Sequence, residues 1–248
     1  MKLVKISAIS YLNTKPFVYG IEHSGILNDY EMQFDIPSAC AEKLLNNQVD
    51  IGIVPVAIIP LLKEAHILTD FCIGAVGAVN SVVLYSCVPL QEIETVELDY
   101  QSRTSVMLTK ILAKNFWKIN PTWINAEKNY EENFSGKRAG VVIGDRTFAL
   151  KNKYPFTYDL SEEWMKFTGL PFVFACWVAN KKLPEKFISE FSQAIKYGIE
   201  HRKELILELQ KINFYATDVK HYLMKSISYE LDASKKKALD LFLSYLKK

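Results

Sequence analysis

Two short loops concentrate the side chains that could do chemistry. Ser10-Tyr11-Leu12-Asn13-Thr14-Lys15-Pro16 follows an apolar run, and Pro16 is placed to open a helix. Within it Asn13 is a neutral group able to donate and to accept hydrogen bonds toward a ligand. The competing reading is a capped turn in which Asn13 or Thr14 satisfies backbone donors. Gln101-Ser102-Arg103-Thr104-Ser105 brings three hydroxyls and one guanidinium to the start of an expected helix. First-turn N–H groups carry partial positive charge, so backbone, hydroxyls and Arg103 together suit a carboxylate. Alternatively Ser102 is an ordinary cap and Arg103 lies on the surface. Asn80-Ser81 and Gly144-Asp145 are further polar positions expected to face a crevice, and Pro37-Ser38 and Val54-Pro55 would add backbone contacts. Asp145 reads equally well as a cap for the segment after it.

None of these is a nucleophile motif: G-x-S-x-G, GxGxxG, a P-loop and HExxH are all absent. Cys40, Cys72, Cys87 and Cys176 are far apart in apolar surroundings, which predicts buried reduced thiols. His23, His66, His201 and His221 are equally scattered, so no metal site is expected.

The chain has 248 residues, 49% of them hydrophobic, which suffices for a globular core and excludes intrinsic disorder and collagen-like repeats. That length allows one large domain or two small ones. A net charge of +2 provides no field for nucleic acid or an acidic membrane, and a small anionic ligand fits it better. Residues 1–14 are too polar for a secretory signal and no run reaches a membrane span, so a cytoplasmic protein is expected. Nothing in the sequence sets an oligomeric state.

The elements that must position these loops follow from periodicity. Leu3 to Ile9, Gln33 to Ile36 and Ile51 to Val56 read as strands, with a helix between the last two capped by Ser38 and ended at Asn46-Asn47. This is a βαβ signature. Long apolar segments at Val79 to Val88 and Leu170 to Ala179 bracket a block with strands at Thr95 to Asp99, Thr122 to Asn125 and Ala139 to Ile143, and a helix from Arg103 to Trp117. Each long segment would be a strand crossing between lobes, near 79–88 and 170–179. One discontinuous lobe would then comprise 1–88 plus 178–248, and the second 89–177. After Asn180 the pattern is helical, with Pro184 in a first turn, Thr217 and Asp232 as caps, and Lys235 to Lys237 as a solvated face. In such an α/β fold, ligands belong in the crevice at the carboxyl ends of the strands, where helix N-termini aim their N–H groups.

The loop from Ser10 to Pro16 resembles the opening signature of the MqnA-type chorismate dehydratases of the futalosine route to menaquinone. Asn80 to Ser86, Ser102 to Ser105, Ile143 to Asp145, Asp159 to Trp164 and Thr168 to Phe174 resemble that family's blocks in the same order, over roughly residues 5–180. The helical tail carries no such motif. The resemblance implies a two-lobed, periplasmic-binding-protein-like (type II) fold with a ligand cleft between the lobes. It also implies conversion of chorismate, a dicarboxylate, to 3-[(1-carboxyvinyl)oxy]benzoate and water without metal or organic cofactor. By that likeness Asn13 is the catalytic residue, with the substrate's own enolpyruvyl carboxylate as base. Tyr11, Ser38, Ser81, Ser102, Arg103, Thr104, Ser105 and Asp145 are the expected substrate-binding residues. Two alternatives stand beside this reading: a cytosolic anion-binding receptor without catalysis, and the sister cyclase of dehypoxanthine futalosine.

Overall fold

A computed structural model describes residues 3–212 and 217–247; the start of the segment read for a signal, Met1 and Lys2, lies outside them. The chain runs β1 (Val4–Ile9), α1 (Lys15–His23), β2 (Tyr30–Asp35), α2 (Pro37–Leu45), β3 (Ile51–Pro55), β4 (His66–Ala75), β5 (Val82–Ser86), β6 (Thr95–Leu98) and α3 (Thr104–Leu112). It continues through β7 (Thr122–Asn125), β8 (Arg138–Ile143), β9 (Phe156–Asp159), α4 (Leu160–Thr168) and β10 (Phe172–Ala179). The tail holds α5 (Glu185–Glu200), α6 (Arg202–Ile212), α7 (Val219–His221), β11 (Ser228–Glu230) and α8 (Ala233–Tyr245).

The strands form two sheets, a six-stranded one in the order β11-β4-β10-β3-β1-β2 and a five-stranded one in the order β7-β6-β8-β5-β9. β1 pairs in parallel with β2 and β3, whereas β10 runs antiparallel to β3 and β4. The second sheet repeats the plan: β6 is parallel to β7 and β8, and β5 is antiparallel to β8 and β9. Each sheet is thus a βαβ core joined by one reversed strand arriving from the other half. β3 and β10 are buried at every residue, which is why both read as unbroken apolar runs.

The sheets divide the chain differently from the expectation. β5 belongs wholly to the second sheet and β10 wholly to the first, so neither long segment is shared, and the chain changes sheet in the loops just before each. A strand with both edges paired in one sheet has no ladder left for another, and apolar length alone does not reveal which sheet it joins.

Local differences have equally plain causes. Ser38 does not cap α2, because Pro37 already occupies the first turn and Ile36 precedes it in extended backbone. Asp218, one residue beyond Thr217, caps α7 by accepting from the His221 N–H at 2.9 Å. Asp232 does cap α8, but Lys235 is only 1% exposed and folds back onto Asp232 at 2.8 Å, while Lys236 and Lys237 face solvent. The helix expected to Trp117 ends as α at Leu112 and continues as a π turn over Ala113–Trp117. Cys40, Cys72 and Cys176 are buried and Cys87 half-buried, all as free thiols. Among the described residues no helix is long and apolar enough to cross a membrane.

One close approach fixes where the first loop sits. α1 crosses α5 in backbone contact, and a Cβ on Gly198 would fall 1.9 Å from the Pro16 carbonyl oxygen. Glycine there lets the start of α1 sink against the tail, which anchors the loop immediately before it.

Candidate active site between the two sheets

The carboxyl ends of β1, β3 and β8 and the N-terminus of α3 converge on a cavity of about 60 Å3. Tyr11, Asn13, Ser81, Ser102, Thr104 and Ser105 line it, with Pro37, Pro55, Gly144 and Phe174 completing its walls. Larger concavities lie elsewhere, one of about 420 Å3 against α8 and one of about 810 Å3 on the outer side of Tyr222. The small one gathers strand ends from both sheets, at Tyr11, Pro55 and Gly144, around the start of α3, and holds Asn13, Ser81, Ser102, Thr104 and Ser105, so it is the candidate site.

Asn13 sits in a single 3-10 turn, Leu12–Thr14, that connects β1 to α1. Neither Asn13 nor Thr14 caps a helix with its side chain. The Asn13 Nδ2 donates to the Tyr222 hydroxyl at 3.4 Å, the Thr14 hydroxyl donates to Asn13 Oδ1 at 3.2 Å, and the Tyr229 hydroxyl donates to the Asn13 carbonyl at 2.9 Å. Ser81, at the start of β5, accepts from the Tyr222 hydroxyl at 2.7 Å. The backbone just before it is held by the half-buried Asp159 carboxylate, which accepts from the N–H groups of Val79 and Asn80 at 3.0 and 2.7 Å. Asn80 is left-handed there, with φ of 63°, a conformation asparagine tolerates.

The second loop acts partly as a cap and partly as a tie. Ser102 Oγ accepts from the Ser105 N–H at 3.0 Å, leaving the Ser102 proton free to point into the cavity. Thr104 is fully engaged: its hydroxyl donates to the Phe174 carbonyl at 3.1 Å and accepts from the Ala57 N–H at 3.2 Å, joining α3 to the first sheet. Gln101, also buried, accepts from the Tyr11 hydroxyl and, through its carbonyl, from the Ser38 N–H at 3.0 Å.

Three expected binding residues lie off the cavity. Arg103 is exposed at the helix start, Ser38 meets the opposite lobe through that N–H, and Asp145 stands behind the first loop. Both Asp145 oxygens accept from the Leu12 N–H at 3.1 Å. Burial pushes this carboxyl up from 3.8 to about 6, opposed by the Leu12 hydrogen bond and the charge of Lys15. Gly144 adopts a φ of 68°, and a Cβ on it would come within 2.5 Å of the Tyr11 ring, so glycine lets Tyr11 lie across the second lobe. Behind Tyr11, Arg146 is paired with the buried Asp99 and lies 5.3 Å from the Tyr100 ring. Burial raises the Tyr11 phenol, which stays protonated.

Sequence reasoning missed Tyr222, Tyr229, Phe174 and the Asp99–Arg146 pair, and it gave Gln101 no role. The tail residues sit on no recognisable motif; in the fold Tyr222 opens a π turn, Tyr222–Ser226, a form enriched at functional sites. The cavity lining contains no charged side chain, so an anion there meets hydroxyls, an amide and the dipole of α3. Among the described residues no three His, Cys, Asp or Glu side chains gather as metal ligands.

A family model described as menaquinone biosynthesis matches residues 4–248. The chain is 26% identical over 253 residues to the chorismate dehydratase of Thermus thermophilus, covering 94% of this chain and 91% of that protein. To the chorismate dehydratase of Campylobacter jejuni it is 26% identical over 251 residues, covering 96% of each. A solved protein of Archaeoglobus fulgidus superposes with a TM-score of 0.76 at 14% identity, covering 98% of this chain and 96% of that one. A Candida albicans protein with the generic periplasmic binding protein fold does so at 0.65 and 15% identity, covering 98% and 90%. The fold is accordingly the two-lobed one of that class.

Proposed function

This chain belongs to the menaquinone biosynthesis family, and on that premise we propose that it is a chorismate dehydratase, an enzyme that removes water from chorismate to give 3-[(1-carboxyvinyl)oxy]benzoate. The observation that carries the reading is the pairing of two dehydratase relatives, each matched over most of its length, with a cleft whose lining suits an anion without supplying a strong base.

Elimination takes a proton from the ring carbon bearing the ether and expels the neighbouring hydroxyl, and the ring becomes aromatic. Much of the driving force therefore resides in the substrate. The protein's tasks are to hold a reactive conformer, exclude water and assist the departing hydroxyl. The protons of Ser81 and Ser102 and the first turn of α3 answer one carboxylate, because charge-assisted hydrogen bonds compensate part of its lost hydration. The free N–H of the Asn13 amide is the donor best suited to the leaving oxygen. The base is the substrate's own enolpyruvyl carboxylate, which explains a cleft without His or Glu, and no cofactor is required.

Incubation with chorismate, after dialysis against a chelator, is expected to yield the aromatic ether with loss of one water, read by mass spectrometry. Unchanged chorismate after prolonged incubation overturns the proposal. Asn13→Ala should lower kcat by about 100-fold, as removal of one transition-state donor does, while changing KM much less.

A further inference from the structure

We propose that Tyr222 is a positioning residue for the proposed dehydration: its hydroxyl decides which end of the Asn13 amide and which atom of Ser81 face the cleft. The inference rests on the dehydratase reading for its kinetic consequence, and on the hydrogen-bond geometry alone for its structural one. Tyr222 lies in the tail, outside every segment that carried the sequence resemblance, yet it touches both loops that matter. Its ring is 2% exposed and packs edge-on against Phe148 at 5.0 Å, so the hydroxyl has little freedom to wander.

A phenol has one proton to give. Here it goes to Ser81 Oγ at 2.7 Å, which leaves only lone pairs facing Asn13, and Nδ2 accordingly donates at 3.4 Å. The opposite end of the amide is held by the Thr14 hydroxyl, which donates to Oδ1 at 3.2 Å. Asn13 therefore keeps its second N–H for the cleft. Ser81, having accepted from Tyr222, turns its own proton toward the cleft. One tail residue thus converts two groups of ambiguous polarity into two donors, as an anion or a departing hydroxyl requires.

Burial raises the Tyr222 phenol, so it remains a donor throughout the working pH range. The backbone beneath is fixed as well. The Tyr222 N–H donates to the Asp218 carbonyl at 2.9 Å, and the Ile227 N–H closes the π turn onto the Tyr222 carbonyl at 3.1 Å. At the other end of that turn the Ser226 hydroxyl accepts from Asn80 Nδ2 at 3.1 Å, tying the turn to the strand start that carries Ser81. Without the hydroxyl, rotating the Asn13 amide by half a turn would lose only the Thr14 contact, and the amide would present either face.

Tyr222→Phe keeps the ring and deletes the relay. With chorismate, kcat is expected to fall about ten-fold or more while KM stays within about three-fold, the usual effect of losing a group that orients a reacting one. Added to Asn13→Ala, the same change should cost clearly less than it does alone, because the part of its route through Asn13 is gone and only the part through Ser81 remains. Full activity in Tyr222→Phe, or an equal loss in both backgrounds, overturns the proposal. The side-chain amide resonances of Asn13 supply a readout independent of turnover: they should shift in Tyr222→Phe and also in Ser81→Ala, which cuts the relay at its far end without touching the ring packing. Unmoved resonances refute the link even if chorismate is turned over. Lack of turnover in the unmodified protein counts against the dehydratase reading alone, and the resonances then decide the role of Tyr222.

Discussion

Asp145 shows how one side chain can hold the chemistry without touching it. Its carboxylate accepts the Leu12 N–H with both oxygens and so pins the turn that presents Asn13. Burial keeps this carboxyl near 6 rather than 3.8. Between those values the folded chain holds a proton that the unfolded chain has released, so this group's contribution to stability falls as pH rises through the window and levels off above it. Asp145→Asn removes that component while keeping one oxygen for Leu12. The melting temperature of the variant minus that of the parent should climb from about pH 4 to about pH 6 and then stay flat. A difference that does not change with pH would mean that Asp145 titrates normally. The sequence presented Asp145 beside a strand end, as cap or ligand, but its partner lies 133 residues away, a distance no local pattern spans.

At the scale of elements, α3 joins the two halves. Its start was legible from Gln101 to Ser105, and the Ser102 cap is the local device that begins it. Ser102→Ala should cost about 1 kcal/mol of stability, the usual loss at a cap, readable by denaturant titration. It should also raise KM for chorismate, since the same hydroxyl lines the cavity. A stability loss with KM unchanged would assign Ser102 to the helix alone. What local reading could not reach is that Thr104 spends both its donor and its acceptor on the first sheet, at Phe174 and Ala57. A hydroxyl at a helix start looks free in sequence; whether it stays free depends on what packs against the helix.

For the whole molecule the cavity volume is the telling quantity. About 60 Å3 is well below the roughly 300–1,000 Å3 of ordinary ligand pockets, so the two halves must part to admit a ring bearing two carboxylates. The contacts that resist parting include Gln101 accepting from Tyr11 and Ser38, Asp145 accepting from Leu12, Thr104 bonded to Phe174 and Ala57, and Tyr222 bonded to Ser81. Gln101→Ala removes the Tyr11 bond and biases the pair of states toward opening, so KM should rise about three-fold to ten-fold with a smaller change in kcat. Solution scattering provides the companion measurement: the parent should contract when product is added, and the variant should be more expanded than the parent without it. Equal dimensions in both proteins, with and without product, would remove the need for opening.

Local pattern was enough to read the βαβ beginnings, the helical tail and the two loops that carry Asn13 and Ser102, because periodicity, proline placement and short-range caps are properties of neighbouring residues. Packing across the fold settles which sheet claims each long apolar strand, that Lys235 turns inward, that Arg103 stays outside, and that Tyr222 reaches back to Asn13 and Ser81. These outcomes depend on strand pairing and side-chain packing between segments more than 100 residues apart or on opposite faces of one helix. A hydrogen bond's direction is likewise set by every partner around it, and those partners meet only once the chain has closed on itself.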